Sequence, residues 1–248
     1  MRRQGKVVVV TGGARGIGGA TGELLAGEGA RVAIGDLLDG EGEATLARLK
    51  AAGGEALFRR TDVTDEASAR ALMDAAVERW GRIDVLVHAA GILKGATLMV
   101  DELDADVFDE VIAVNLRGAF LCAKWAGAHM RRQRSGVMLL IASGAGVRGG
   151  SSSVAYGSSK GGVHGLSLVL APQLEPFGVR VHGICPGSLA TELKLTNVAD
   201  VARARGEDPT AARERAAREL GDPLGVARIL AFLASDEADY VRGTIFTR

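Results

Sequence analysis

Seven short apolar-rich runs limit most strongly what this chain can become: KVVVVT (6–11), ARVAIGD (30–36), EALFRRTDV (55–63), RIDVLVHA (82–89), GVMLLIAS (136–143), VRVHGIC (179–185) and GTIFT (243–247). The best of them are continuous, not alternating, as strands buried on both faces are. Helical patterns fill the intervals, over 16–28, 40–52, 65–80, 106–131, 154–177 and 223–234. Strand and helix in steady alternation predict an α/β fold, a doubly wound parallel seven-stranded sheet with helices on both faces. All five prolines fall at or after Pro172, so none interrupts the first five strands. With no linker or repeat in its 248 residues, the chain reads as a single domain over 1–248, and 190–222 is its one long excursion.

Composition excludes several other classes. Thirty basic and thirty acidic side chains cancel and are intermingled, so there is no nucleic-acid footprint. Two cysteines, Cys122 and Cys185, cannot make a disulfide framework and fit a reducing cytoplasm. The basic start MRRQGK is followed by only four valines, too short for a secretory leader. The run VMLLIA is far below a membrane span, which points to a soluble protein with no membrane partner.

The turn after the first run, TGGARGIG, carries Gly12, Gly16 and Gly18 into the first helix. Glycines there allow a tight turn and let backbone N–H groups approach a pyrophosphate at the helix N-terminus. Asp36 ends the second run, about 20 residues beyond the loop, where dinucleotide sites place an acid for the ribose hydroxyls. Further on, SVAYGSSKGG puts Tyr156, one of only two tyrosines, four positions before Lys160. That spacing places both on one helix face. Ser143 ends the fifth run, thirteen positions before Tyr156. In a parallel sheet the C-terminal strand ends carry the ligand crevice, so these side chains converge there.

These motifs together resemble the short-chain dehydrogenase/reductase family, in its Y-x-x-x-K branch of about 250 residues. TGGARGIG matches the family's T-G-x-x-x-G-x-G, NLRG (115–118) its N-x-x-G, and CPGSLAT (185–191) its P-G followed by a threonine. DVT (62–64) sits at the family's adenine-binding Asp, while LVHAAG (86–91) replaces its N-N-A-G, putting His88 and Ala89 where two asparagines are usual. The resemblance covers nearly the whole chain and implies a Rossmann-type fold. It implies an NAD(H)-dependent oxidoreductase moving a hydride between nicotinamide and a secondary alcohol or ketone, without a metal. Tyr156 is then the general acid/base and Ser143 its partner at the substrate oxygen. Lys160 lowers the phenol's pKa and holds the nicotinamide ribose, and Asn115 keeps a water linking Lys160 to solvent. Cofactor contacts carried over are Gly12, Arg15, Gly16, Ile17 and Gly18 in the loop; Asp36, Asp62 and Val63 around the adenosine; and Ala90 and Gly91 after the fourth run. Tyr156, Lys160, Pro186, Gly187, Leu189 and Thr191 complete the set at the nicotinamide end.

Asp36 favours NAD over NADP, because a 2′-phosphate would bring negative charge against it, whereas Arg15 pulls toward NADP. The alternatives are an NADPH-dependent 3-oxoacyl-thioester (acyl-carrier-protein) reductase and a non-catalytic dinucleotide-binding sensor. The charged stretch 190–222 is expected to form a substrate lid. His129, His164 and His182 lack metal-ligand spacing and read as structural or surface residues; Trp80 and Trp125 read as helix packing, and Cys185 as a small buried residue. By the resemblance, helices near 106–131 and 154–177 pack on a two-fold mate, giving a homotetramer, with a dimer as the fallback. The sequence ends at GTIFTR without the family's Asp-Gly-Gly tail, so the second contact, built from 223–247, is expected to be the weaker.

Overall fold

The computed structural model describes residues 4–247; Met1–Arg3, part of the basic start considered above, and Arg248 lie outside the described residues. Seven parallel strands form one sheet: β1 Val7–Thr11, β2 Arg31–Asp36, β3 Ala56–Arg60, β4 Val85–His88, β5 Gly136–Ile141, β6 Val179–Cys185 and β7 Gly243–Phe246. Their order is β3-β2-β1-β4-β5-β6-β7. The valines of β1 show why the runs are continuous. Val7 and Val9 enter one core, with Leu86, Met138 and Leu140. Val8 and Val10 enter the opposite core, with Ile34, Val87 and Leu139. All four are at most 1% exposed, each burial contributing roughly 1.5–3 kcal/mol.

The helices α1 Gly16–Gly27, α2 Asp39–Ala51 and α3 Glu66–Trp80 follow the first three strands. Asp65 caps α3 by accepting the Ala67 and Ser68 N–H groups, and Gly81 closes it in the left-handed region at φ +82°. The predicted helix over 106–131 is three pieces: α4 Ala105–Ile112, a π-helical turn Ala113–Arg117 and α5 Gly118–Gln133. A one-turn helix, α6 Gly144–Val147, precedes the long α7 Val154–Leu174. Ser153 fixes the start of α7, accepting the Tyr156 N–H at 3.1 Å and donating to the Lys94 carbonyl at 2.6 Å.

The excursion 190–222 folds into α8 Glu192–Ala204 and α9 Pro209–Glu219, and α10 Pro223–Leu233 then packs on α1. A parallel bridge between Leu189 and Gly221 closes the base of the excursion. The strand order reverses between β1 and β4, which pair in register from Val8–Val85 to Thr11–His88. A ligand crevice forms outside the strand ends at such a switch point. Among the described residues no helix is long and apolar enough to cross a membrane.

Candidate active site

A cleft of about 860 Å³ opens at the C-terminal ends of the strands. Every site residue expected from the sequence lines it except Asn115. At its β1 end the loop turns through Gly12 at φ +65°, where an added Cβ would lie 2.5 Å from the Ala90 nitrogen. Gly18 is equally confined, since its Cβ would fall 2.1 Å from the Gly12 oxygen. The loop can therefore lie flat on the end of β4 only without side chains at these points. No side chain caps α1, so its first-turn N–H groups remain available to an anion. One oxygen of Asp36 accepts the Ala14 N–H at 3.0 Å and the other the Leu38 N–H at 3.2 Å, which aims the carboxylate across the loop. Asp62 accepts from both the N–H and hydroxyl of Thr64, at 2.8 and 2.7 Å. This floor, uncapped helix and acid fit a dinucleotide.

The β5 end carries the reactive groups. Ser143 caps α6, and its hydroxyl accepts the Ala145 N–H at 3.2 Å. Burial raises the pKa of the Tyr156 phenol, and a hydrogen bond from the Ser143 hydroxyl offsets part of that rise. The Ser143 hydroxyl is thus a partner of the phenol in addition to the Lys160 expected from the sequence. The Lys160 ammonium lies 5.8 Å from the centre of the Tyr156 ring and donates to the Ile141 carbonyl at 2.7 Å. It is 4% exposed, and desolvation lowers its pKa to about 8.

Asn115 stands behind the cleft wall, fully buried in the π-helical turn. Its side chain accepts the Ile92 N–H at 2.8 Å and donates to the Ile92 carbonyl and the Ser159 hydroxyl, both at 2.9 Å. The extra residue of a π-turn re-aims a side chain, and here it clamps the segment after β4. That segment brings Gly91 so close that a Cβ would lie 3.3 Å from Lys160 Nζ.

The small residues around Tyr156 have packing causes of their own. A Cβ on Gly157 would lie 2.9 Å from Ser151, one on Gly161 2.9 Å from the Gly146 oxygen, and one on Gly162 2.6 Å from Leu116. Ser159 joins Asn115 to the Tyr156 carbonyl. Ser158 is exposed.

Of the histidines, His88 Nδ1 pairs with the Thr11 hydroxyl at 2.8 Å, and burial holds the ring at about 3, hence neutral. His129, His164 and His182 meet Asp74, Thr244 and the Gly243 carbonyl. Sequence reasoning did not single out Ile92, Ser153 or Arg148, and it held Lys194 and Asn197 only as members of the 190–222 stretch. Only Ser153 had a signal, a serine immediately before a helical pattern.

Residues 6–202 fit the family model described as short chain dehydrogenase. The chain belongs to the short-chain dehydrogenase/reductase family. It is 42% identical to cis-4-hydroxycyclohexanecarboxylate dehydrogenase of Sinomonas cyclohexanicum, over 97% of this chain and 93% of that protein. It is 39% identical to tropinone reductase-like 2 of Erythroxylum coca, over 98% of this chain and 88% of the other. Among solved structures, levodione reductase superposes with a TM-score of 0.91 at 34% identity, covering 99% of this chain and 96% of that one. NAD+-bound xylitol dehydrogenase gives 0.91 at 31% identity, covering 99% and 98%. Like these short-chain dehydrogenases and reductases, the protein is an oxidoreductase acting on CH–OH groups.

Proposed function

We propose that the protein is an NAD(H)-dependent oxidoreductase of secondary alcohols and ketones, with Tyr156 as its general acid/base. The observation that carries this reading is the convergence of three groups at the end of β5: the Tyr156 phenol, hydrogen-bonded by Ser143, with Lys160 Nζ 5.8 Å from the ring centre. The bound nicotinamide supplies the hydride acceptor for an alcohol and the hydride donor for a ketone. In oxidation Tyr156 takes the hydroxyl proton as the C–H bond breaks; in reduction it returns that proton to the carbonyl oxygen. Ser143 hydrogen-bonds the same substrate oxygen. Lys160, with a pKa of about 8, is mostly protonated near neutral pH and stabilises the phenolate that forms. It would also hold the nicotinamide ribose. Asn115 positions the Gly91–Ile92 backbone against Lys160 and acts through it.

The glycine loop with Gly16, Ile17 and Gly18 would hold the pyrophosphate, Asp36 the adenosine ribose, and Asp62 with Val63 the adenine. Ala90, Gly91, Pro186, Gly187, Leu189 and Thr191 would line the nicotinamide half. Two features support NAD over NADP. Asp36 lines the cleft with its carboxylate held across the glycine loop, where it would meet the adenosine ribose, and Arg15 lies 3.5 Å from Glu41, which draws its charge aside. The NAD+ bound by the solved xylitol dehydrogenase agrees with that choice. The 190–222 excursion serves as the lid: its base is the Leu189–Gly221 bridge, and Asn197 on α8 meets Ser152 across the cleft at 3.2 Å. Self-association as a homotetramer is supported by exposed Phe120 on α5 and Leu168 and Val169 on α7. Purified protein with NAD+ and a panel of secondary alcohols tests the reading. NADH formation is expected; dinucleotide binding without turnover on any alcohol or ketone would favour a sensor.

A further inference from the structure

The substrate half of the cleft is electrostatically unbalanced. Besides Lys160 at the reacting end, its cations are Lys94, on the segment after β4, Arg148, at the C-terminal cap of α6, and Lys194, on α8. Lys94 is neutralised by both carboxylate oxygens of Glu110, at 2.6 and 2.7 Å. Glu192, the acid on this side, is held by Arg213 at 3.0 and 2.6 Å. Arg148 and Lys194 form no ion pair among the described residues. The Arg148 guanidinium instead lies on the Phe246 ring, 3.8 Å from its centre, a stack that fixes the plane of its donors. The other wall carboxylates, Asp36 and Asp62, belong to the β2–β3 end, far from Ser143.

We propose that the substrate carries a carboxylate and that Arg148 and Lys194 read it. This rests on the Ser143–Tyr156 reading above and narrows its substrate class. A guanidinium offers two parallel N–H bonds to a carboxylate, and unpaired cations in a cleft concentrate anions there. Ser143 and Arg148 cap the two ends of the one-turn α6, so both belong to the same end of the cleft, and a compact keto acid is the class of substrate that would meet both. Ile92, Leu93 and Leu193 give the intervening hydrocarbon an apolar wall. A dinucleotide pyrophosphate is not the expected partner, because the uncapped N-terminus of α1 lies at the β1 end.

The test compares 4-oxopentanoate and 5-oxohexanoate with their methyl esters. One readout is kcat/KM for reduction, with whichever of NADH and NADPH supports turnover. The other is calorimetric Kd for the unreactive complex of each ketone with enzyme and NAD+. The acid should be preferred at least tenfold over its ester, with the preference shrinking as salt is added. Arg148→Gln with Lys194→Gln should cut the acid-to-ester ratio at least tenfold in Kd and in KM, and Arg148→Lys should keep part of it. Equal binding of acid and ester by the unaltered protein would overturn the proposal. So would a double variant whose ratio stays within twofold, or one that loses NADH affinity as steeply as acid affinity. Full turnover by Tyr156→Phe would overturn the parent reading, a failure told apart from that of this proposal because the acid-to-ester ratio in Kd is read without turnover.

Discussion

Replacing Asn115 with alanine should show that this residue builds the site from behind. The substitution removes three hydrogen bonds, to the Ile92 N–H, the Ile92 carbonyl and the Ser159 hydroxyl. Ser159 keeps its bond to the Tyr156 carbonyl at 2.8 Å, so the main cost falls on the two Ile92 groups. An unmatched buried polar group costs about 1–3 kcal/mol, and Ile92 is half-buried, which admits some water. The sum is roughly 2–4 kcal/mol of stability, a fall in Tm on the order of 5–15 °C for a chain of this size. The freed 91–92 segment also moves away from Lys160, so kcat should fall by at least about tenfold in protein that is still folded. Urea unfolding followed by circular dichroism gives the first number, and initial rates below the transition give the second. Unfolding within about 0.5 kcal/mol of the unaltered protein would refute the clamp. Lost stability with unchanged kcat would refute its link to the site.

Burial lowers the Lys160 pKa from 10.5 to about 8. Between those values the unfolded chain holds a proton that the folded chain has lost, so stability should rise with pH across that window, by roughly 3 kcal/mol. The gap in urea midpoint between the unaltered protein and Lys160→Met, followed upward from about pH 7, measures this contribution; a gap that does not change with pH contradicts it. Asp36→Ser should lower the NAD-to-NADP ratio of kcat/KM by about a hundredfold to a thousandfold, the worth of close like charges at an effective dielectric near 20. A ratio changed by less than about threefold would mean that Asp36 does not face the 2′ position. Light scattering should give about four times the chain mass of 25.7 kDa. A dimer on dilution would place the weaker contact at the α10–β7 end, and a single species at the chain mass would count against the α5–α7 interface.

Periodicity made the sheet and its partner helices legible, because burial on both faces leaves an unbroken apolar run such as 7–10 that little else produces. The glycine loop was legible for a steric reason: Gly12 and Gly18 stand where no Cβ fits. Tyr156 and Lys160 were legible through their helical spacing. Other features depend on contacts between distant segments. NLRG shows an asparagine but not the π-turn that aims it at Ile92, forty-four positions from its other partner, Ser159. Sequence spacing placed Ser143 near Tyr156 but could not show that its hydroxyl hydrogen-bonds the phenol. Arg148 and Lys194 looked like two of thirty ordinary surface cations. Only the fold shows that Glu110 and Glu192 are already paired with Lys94 and Arg213.

Whether the Tyr156 phenol moves the proton is decided by Tyr156→Phe. Burial and packing are nearly preserved in this substitution, and the Ser143 hydroxyl loses its phenol partner but remains the cap of α6. General acid–base catalysis is typically worth 10²–10⁴ in rate. In Tyr156→Phe, kcat should fall by at least about a hundredfold, while the NADH Kd from fluorescence titration stays within about threefold of the unaltered protein. A variant that keeps more than about a tenth of kcat with the same dinucleotide affinity would show that the proton travels by another group.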